Sequence, residues 1–316
     1  MTVPSPAPWA ERGPYPVAEL AVPSWTTEAG ADVALVARYA VGTAHALPVV
    51  VLCHGLGGEP EGYAALGHHL AGHGYAVLHP QFRDALSLAG PALGLEGPDA
   101  RDWIHDPHAR ALMHALLFDP EHWLSRVARV HAVLDSLATQ PHMPVRLNPN
   151  GVIVAGHSFG AYTAQLLLGA RLQGEGVDRD FTHPAVAGGA LMSPQGSGDR
   201  GLTPRSWDDV RLPLLVITAT RDLGAKGEGL DWRREPFGAA RSPVKHLAVV
   251  RDGDHFLGGV PAAAGDEPAG SSEIRTALAA LTTAFAALVR GDPSAGAWLA
   301  SGPFPELIDH EHQEQS

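Results

Sequence analysis

Short apolar segments alternate with helix-like segments over most of this 316-residue chain. One of the apolar segments, PVVVLC (48–53), lacks polar residues, which is typical of a strand buried on both faces of a sheet. Strands of this kind that alternate with helices form a mostly parallel sheet covered by helices on both sides. The pattern therefore predicts an α/β fold.

The expected strands and helices follow one another in a regular order. The first two strands, 17–23 and 32–41, show partial alternation of apolar and polar residues and are expected to pair antiparallel. The other predicted strands are 48–53, 75–80, 151–155, 185–193, 212–220 and 244–250, and the predicted helices are 62–74, 120–139, 160–172 and 272–290.

No charge run or low-complexity tract divides the chain into separate domains. We predict an extended N-terminal lead-in over residues 1–16, a single domain over 17–308 and a disordered tail over 309–316. Within the domain, three segments are too long for plain connections, and such segments are commonly lids or binding loops. These lid-like insertions are residues 81–119, 194–211 and 222–243.

Charge and composition exclude several classes of function. The chain has 22 basic and 34 acidic side chains, and a net charge of −12 repels nucleic acid and anionic lipid. Its one cysteine, Cys53, excludes an internal disulfide framework. The N-terminus lacks the features of a secretory signal, and no transmembrane segment is expected. These observations predict a cytoplasmic protein with no nucleic-acid partner.

Residues suited to nucleophilic catalysis follow four of the predicted strands. In open parallel sheets, ligands bind beyond the carboxyl ends of the strands. The four segments that leave these ends are HGLGG (54–58), GHSFG (156–160), RD (221–222) and RDGDHF (251–256). They would bring a glycine-rich turn, a serine, an acid and a histidine to one edge of the sheet.

Ser158 lies between Gly156 and Gly160, where a predicted strand meets a helix. In a Gly-x-Ser-x-Gly turn the serine is strained and exposed, and the small residues let the strand and the helix pass closely. A serine hydroxyl needs a neighbouring base, so we assign His255 as the base and Asp222 as the acid that orients it. The other acidic candidates are Asp199, Asp231, Asp252 and Asp254.

Two backbone N–H groups would complete such a site. Phe159 directly follows the serine and starts the helix, and Leu56 lies in the glycine-rich turn. We predict that both N–H groups form an oxyanion hole. This chemistry needs no cofactor.

His69 and His73 are spaced four residues apart on a predicted helix and could chelate zinc. No glutamate lies between them as in a metalloprotease helix, and no third ligand is evident, so we predict no metal site.

Aromatic and apolar residues of the insertions are candidates for the wall of a substrate pocket. The alternative is that they pack against the domain as ordinary helix faces. The pocket candidates are Trp103, Leu117, Trp232 and Phe237.

The order Ser158, Asp222, His255, with HGLGG upstream of GHSFG, resembles the α/β-hydrolases. More narrowly, CHGLGGEPEGYAALGHHLAGHGYAVLHP (53–80) and AGHSFGAYTAQLLLGA (155–170) resemble one branch of that superfamily. This branch holds the plasma-type platelet-activating-factor acetylhydrolases and the bacterial dienelactone-hydrolase-like esterases. The resemblance implies an α/β-hydrolase fold and a serine enzyme that hydrolyses esters.

Two features depart from these relatives. Dienelactone hydrolases use a cysteine nucleophile, whereas this turn carries Ser158 and Cys53 lies on another strand. The platelet-activating-factor enzymes place their acid after the strand that follows the serine. Here that strand ends in LMSPQG (191–196), which has no carboxylate, so the acid falls to Asp222. This departure argues against assigning the phospholipid substrate of the platelet-activating-factor enzymes to this chain.

The sequence thus predicts a serine carboxylic ester hydrolase that acts on a small to medium ester through an acyl-enzyme. Lipase, polyester hydrolase, aryl-ester hydrolase, thioesterase and amidase activities use the same triad and stay open. A catalytically silent binding module is the alternative outside enzymes. Such modules usually lose a triad member, and all three candidates are present here, which favours the enzyme.

Overall fold

A computed structural model of the chain describes residues 8–25, 32–95, 102–174, 177–198, 200–260 and 271–314. Its strands are β1 (Val17–Val22), β2 (Leu35–Ala40), β3 (Val49–Cys53), β4 (Ala76–Pro80), β5 (Val152–His157), β6 (Leu172–Gly174), β7 (Val177–Arg179), β8 (Val186–Met192), β9 (Leu214–Arg221), β10 (Val244–Asp254) and β11 (Ile308–Glu314). Its α-helices are α1 (Ala64–Gly72), α2 (Leu86–Ala92), α3 (Pro107–Phe118), α4 (Pro120–Asp135), α5 (Phe159–Leu167), α6 (Leu230–Ala239), α7 (Ser271–Val289) and α8 (Pro293–Ala300). Short 3₁₀ helices cover Pro60–Tyr63 and Leu137–Thr139.

One nine-stranded sheet organises the protein, in the order β1-β2-β4-β3-β5-β8-β9-β10-β11. The pairs from β4 through β10 are parallel. The pairs β1–β2, β2–β4 and β10–β11 are antiparallel. The predicted mostly parallel sheet and its antiparallel first pair are confirmed. Helix α5 ends at Leu167, earlier than the helix expected over 160–172, and the hairpin β6–β7 forms a separate two-stranded sheet from Leu172 onward.

Both faces of the sheet are covered. Successive residues of β3 point to opposite sides, as the period of a strand requires. Val49 and Val51 pack in the cluster that includes α4 and α5, while Val50 and Leu52 pack in the cluster that includes α1 and α7. The apolar sequence of β3 is therefore explained by burial on two sides, and the α/β-hydrolase architecture is confirmed.

Asp-Pro pairs start three of the helices. Asp106, Asp119 and Asp292 each precede a proline and accept a hydrogen bond from a backbone N–H of the first turn. The aspartate satisfies one of the unpaired N–H groups, and the proline fixes the backbone angle that a helix needs. These caps define where α3, α4 and α8 begin, including α3 inside the 81–119 insertion.

Helix α7 is long and apolar enough, by length and composition alone, to cross a membrane. The mean hydropathy of its most apolar window is 1.3, although no segment of this kind is expected from the sequence. In the structure, 61% of its apolar window is buried inside the protein. The helix thus has the environment of a core helix, packed on one face of the sheet.

The disordered tail predicted over 309–316 is wrong for the residues that the structure describes. Ile308–Glu314 form β11, which pairs antiparallel with β10 along its length. Its sequence IDHEHQE is polar because an edge strand faces solvent, so no apolar pattern marked it. Of the predicted lead-in, residues 8–16 are described, and Tyr15 N–H donates to Gly72 O on α1; residues 1–7 lie outside the described part.

Candidate active site

Ser158 lies at the turn between β5 and α5 with backbone angles φ 54° and ψ −118°. This region is strained for a residue with a side chain. The flanking glycines are required by close approach. A Cβ at Gly160 would lie 2.0 Å from Cys53 O, and one at Gly156 would lie 2.3 Å from the carbonyl carbon of Gly160. The serine is therefore held on a sharp turn between a strand and a helix that touch.

The structure brings the predicted serine, histidine and acid together. His255 Nε2 lies 2.9 Å from Ser158 Oγ, and His255 Nδ1 lies 2.7 Å from Asp222 Oδ1. Asp222 directly follows β9 and His255 directly follows β10, so two neighbouring parallel strands deliver them to one edge. The other Asp222 oxygen accepts a hydrogen bond from Thr218 Oγ1 at 2.9 Å.

The rival acids do not reach this histidine in the structure. Asp252 and Asp254 are exposed, and Asp254 accepts a hydrogen bond from the N–H of Phe256. Asp231 lies exposed in the first turn of α6. Asp199 lies outside the described residues.

Asp222 is 1% exposed and stays ionised. Burial alone would raise the pKa of its carboxyl group. The hydrogen bond with His255 and the charge of Arg233 outweigh burial and lower that pKa to about 2. The acid can therefore fix the histidine and balance a positive charge on the ring.

Arg233 on α6 is a contact that the sequence did not reveal. Its side chain is buried, and its Nε lies 3.0 Å from Asp222 Oδ1, an ion-pair distance without a well-aligned N–H. One of its Nη atoms lies 3.1 Å from His255 Nδ1. Its Nη atoms also donate to the carbonyls of Ser193, Pro194 and Leu223. No local pattern separated Arg233 from its neighbour Arg234.

The turn HGLGG (54–58) uses its glycine N–H groups within the protein but leaves the N–H of Leu56 without an acceptor among the described residues. Its three glycine N–H groups all donate to acceptors in the protein. The N–H of Leu56 has no acceptor among the described residues, and the same holds for the N–H of Phe159 in the first turn of α5. Both predicted oxyanion donors are thus without a protein acceptor among the described residues.

A buried ion pair supports this turn from below. Arg126 and Asp84 are both 1% exposed, and the guanidinium contacts both carboxylate oxygens, at 2.9 and 2.5 Å. Arg126 also donates to the carbonyls of His54 and Gly55. The rings of Phe82 and Phe159 sandwich its guanidinium at 4.2 and 4.1 Å. The carbonyls that precede Leu56 are therefore fixed by a buried cation.

A second buried chain joins the glycine-rich turn to the histidine loop. The N–H of Gly55 donates to Tyr63 Oη at 2.9 Å, and Tyr63 Oη lies 3.1 Å from His157 Nδ1. His157 Nε2 lies 2.8 Å from the carbonyl oxygen of His255. Because a carbonyl only accepts, Nε2 carries the proton and Nδ1 accepts from the tyrosine. Every donor in this chain has one acceptor.

His157 and His54 are held neutral. Burial is the main cause, and it lowers the pKa of His157 to about 3 and that of His54 to about 4. His54 uses both ring nitrogens, since Nδ1 lies 2.7 Å from Gly55 O and Nε2 accepts from the N–H of Phe82. Both histidines are thus structural parts of the site.

Two of the four pocket candidates, Trp103 and Trp232, lie near the candidate site, and the other two do not. Trp103 is buried against the glycine-rich turn, since a Cβ at Gly57 would lie 2.9 Å from its Nε1. Trp232 adjoins Arg233 and donates to Ser197 O at 2.7 Å. Leu117 packs in the main core, as the alternative of an ordinary helix face anticipates.

Phe237 is wrong as a pocket residue. Its ring lies 5.2 Å from the Nζ of Lys245, at the amino end of β10 and opposite to His255. Helix α6 runs down the sheet, so its first turns, but not its last, face the serine.

The paired histidines of α1 bind the N-terminal segment. His69 Nε2 lies 2.8 Å from Trp9 O, and His73 Nε2 lies 3.0 Å from Glu11 O. Among the described residues, no group of three or more His, Cys, Asp or Glu side chains is arranged to hold a metal ion.

Residues 17–93 match the family model of platelet-activating factor acetylhydrolase, isoform II. The matched segment runs from β1 through α2 and contains the HGLGG turn, but it ends before Ser158. No curated protein matches the chain. The parallel sheet covered on both faces has the architecture of the α/β-hydrolases, and over residues 17–93 the chain is similar to the platelet-activating factor acetylhydrolases.

Proposed function

We propose that this protein is a serine carboxylic ester hydrolase in which Ser158 is the nucleophile, His255 the general base and Asp222 the orienting acid. The observation that carries the proposal is the hydrogen-bonded series from Ser158 Oγ through His255 to Asp222, with contacts of 2.9 and 2.7 Å. The strained backbone of Ser158 adds support, because it presents the hydroxyl at the end of β5.

In this mechanism His255 Nε2 takes the proton of Ser158 Oγ as the oxygen attacks the ester carbonyl carbon. The ring becomes positively charged and Asp222, which is ionised, stabilises it. His255 then gives the proton to the leaving alcohol oxygen, which leaves an acyl group on Ser158. Water repeats the sequence with His255 as base, releases the acid and restores the serine.

The N–H groups of Leu56 and Phe159 are the proposed oxyanion donors. Both lack a protein acceptor among the described residues, so each has a hydrogen bond to give when the carbonyl oxygen becomes negative. Such a donor contributes about 3 kcal/mol to transition-state stabilisation in well-studied serine hydrolases. The substrate is proposed to be a small to medium ester bounded by Trp103 and Trp232.

The test is hydrolysis of p-nitrophenyl esters from acetate to palmitate by the wild type and by Ser158→Ala. We expect the variant to lose at least about 10⁴-fold in kcat. Ser301→Ala, an exposed serine after α8, is the matched control and should keep the wild-type rate. A fluorophosphonate probe should label the wild type at Ser158.

Wild-type turnover by Ser158→Ala would overturn the nucleophile assignment. Turnover of matched anilides or thioesters but not of oxygen esters would replace the ester substrate by an amide or a thioester. A folded protein that neither turns over these substrates nor reacts with the probe would refute the enzyme proposal.

A further inference from the structure

Arg200 is a buried cation without an anion. Its side chain is 4% exposed, and its Nε is buried with no hydrogen-bond partner. No described residue accepts a hydrogen bond from its guanidinium or pairs with it as a carboxylate. Buried arginines are paired as a rule, because an unpaired buried charge is costly. A guanidinium of this kind indicates an anion supplied from outside the chain.

Two aromatic rings flank this guanidinium. Phe118 at the end of α3 and Trp232 at the start of α6 each have their ring centre 5.2 Å from Arg200 Cζ. The rings attract a cation through their faces, but they accept no strong hydrogen bond. The arrangement holds the guanidinium in place and leaves its N–H groups available.

Two further charged side chains lie near this guanidinium. Lys226 Nζ lies 5.0 Å from the centre of the same Phe118 ring, so two cations meet on one side chain. Among the described carboxylates, Glu228 acts on Arg200, and it accepts a hydrogen bond from the backbone N–H of Lys226 at 2.9 Å. Burial lowers the pKa of Arg200 and Glu228 partly offsets this shift. No ion pair joins Glu228 to Arg200 among the described residues, so Glu228 acts on this guanidinium only from a longer distance.

Arg200 is also tied to the elements that carry the candidate triad. Its carbonyl oxygen accepts a hydrogen bond from Tyr162 Oη at 2.6 Å, and Tyr162 lies one helical turn after Ser158 on α5. Trp232 directly precedes Arg233, which contacts His255 and Asp222. The cluster is therefore attached to α5 through Tyr162 and to α6 through Trp232, the helices that carry Tyr162 and Arg233 beside the candidate triad.

We propose that Arg200, between Phe118 and Trp232, binds a carboxylate or phosphate group of the ester substrate, so that the protein prefers negatively charged esters. The planar guanidinium fork matches both anions in geometry. This inference rests on the proposed function, because the bound ester has to be attacked by Ser158.

The experiment compares esters that differ mainly in one anionic group. Mono(4-nitrophenyl) adipate against 4-nitrophenyl hexanoate tests a carboxylate on the acyl side, and 4-acetoxyphenyl phosphate against phenyl acetate tests a phosphate on the alcohol side. Uncatalysed rates are subtracted. We expect the wild type to prefer the anionic member of one pair by about 10- to 100-fold in kcat/KM. The preferred pair identifies the side and the anion.

Variants assign that preference to Arg200. We expect Arg200→Met to reduce the preference for the anionic ester about 10- to 100-fold, and Arg200→Lys to restore part of it. Arg205→Met is the matched control, because it removes the same charge from the same segment at an exposed position. It should keep the wild-type preference.

Two further measurements separate failure of this site from failure of the proposed function. Calorimetric titration of Ser158→Ala with adipate and with inorganic phosphate tests anion binding without turnover. The unfolding midpoint of Arg200→Met should equal or exceed that of the wild type, whereas an arginine kept for stability would lower it. Hydrolysis of neutral esters without any anionic preference, and without anion binding, would overturn this proposal alone.

Discussion

Replacing Tyr63 by phenylalanine tests the buried chain that links the glycine-rich turn to the histidine loop. The change removes one oxygen atom and keeps the ring. That oxygen makes two contacts, since it accepts from Gly55 N–H at 2.9 Å and lies 3.1 Å from His157 Nδ1. Gly55 N–H and His157 Nδ1 are both buried, and neither atom makes another hydrogen bond with the described residues.

The magnitude follows from the two groups left without a partner. A buried donor or acceptor that loses its partner costs about 1–3 kcal/mol. His157 cannot compensate by moving its proton, because Nε2–H is held by His255 O at 2.8 Å. We therefore expect Tyr63→Phe to lower the free energy of unfolding by about 4 kcal/mol. We also expect kcat to fall with little change in KM, because Gly55 precedes the proposed oxyanion donor.

Urea unfolding followed by tryptophan fluorescence measures the stability change, and ester hydrolysis measures kcat and KM. Tyr39→Phe is the matched control, since this buried tyrosine makes no hydroxyl hydrogen bond within the described residues. The control should change stability by less than about 0.5 kcal/mol. A loss below about 1 kcal/mol in Tyr63→Phe, or an unchanged kcat, would refute the reasoning.

Lowering the pH and replacing single glycines give two further tests. In the native protein the pKa values of His54 and His157 are about 4 and about 3, against an ordinary value of 6.5. Below pH 6.5 the unfolded chain therefore binds protons at these histidines that the native protein does not bind. Their contribution to the free energy of unfolding is full above pH 6.5 and is lost as the pH falls towards the native pKa values. Together they should lower stability by about 3 kcal/mol per pH unit between roughly pH 6 and pH 4; equal urea midpoints at pH 7.5 and 4.5 would contradict this. Gly160→Ala should cost about 3 kcal/mol or more and abolish ester hydrolysis, because its Cβ would meet Cys53 O at 2.0 Å. Gly238→Ala on α6 meets no atom within 4 Å and should be neutral or slightly stabilising; equal unfolding midpoints for the two variants would argue against steric exclusion at Gly160.

The sequence was informative wherever a local pattern coincided with a structural constraint. An apolar strand followed by Gly-x-Ser-x-Gly predicts a parallel sheet and a turn at Ser158, because only small residues fit where β5, β3 and α5 touch. Asp222 and His255 directly follow β9 and β10, and the structure brings both to the edge of the sheet where Ser158 lies. Parallel neighbours bring their carboxyl ends to one edge.

The supporting contacts could not be predicted in this way. Tyr63 and His157 are 94 residues apart, and Arg126 and Asp84 are 42 apart, so no periodic signal connects them. For Phe237 the sequence predicted a role that the structure does not support. Its place in an insertion near the histidine strand suggested a pocket, but the direction of α6 carries it to the far end of the sheet.

Strand β11 has a consequence for how the molecule behaves towards its own copies. Without it, β10 would present a row of unpaired N–H and C=O groups to solvent, and such an edge is a template for another chain. β11 covers this row and exposes an outer edge rich in His, Asp and Glu. It is anchored by ion pairs of Asp309 with Arg251 and of Glu311 with Arg234. A largely polar strand, which contributes Ile308 to the core, thus protects the sheet from edge-to-edge aggregation.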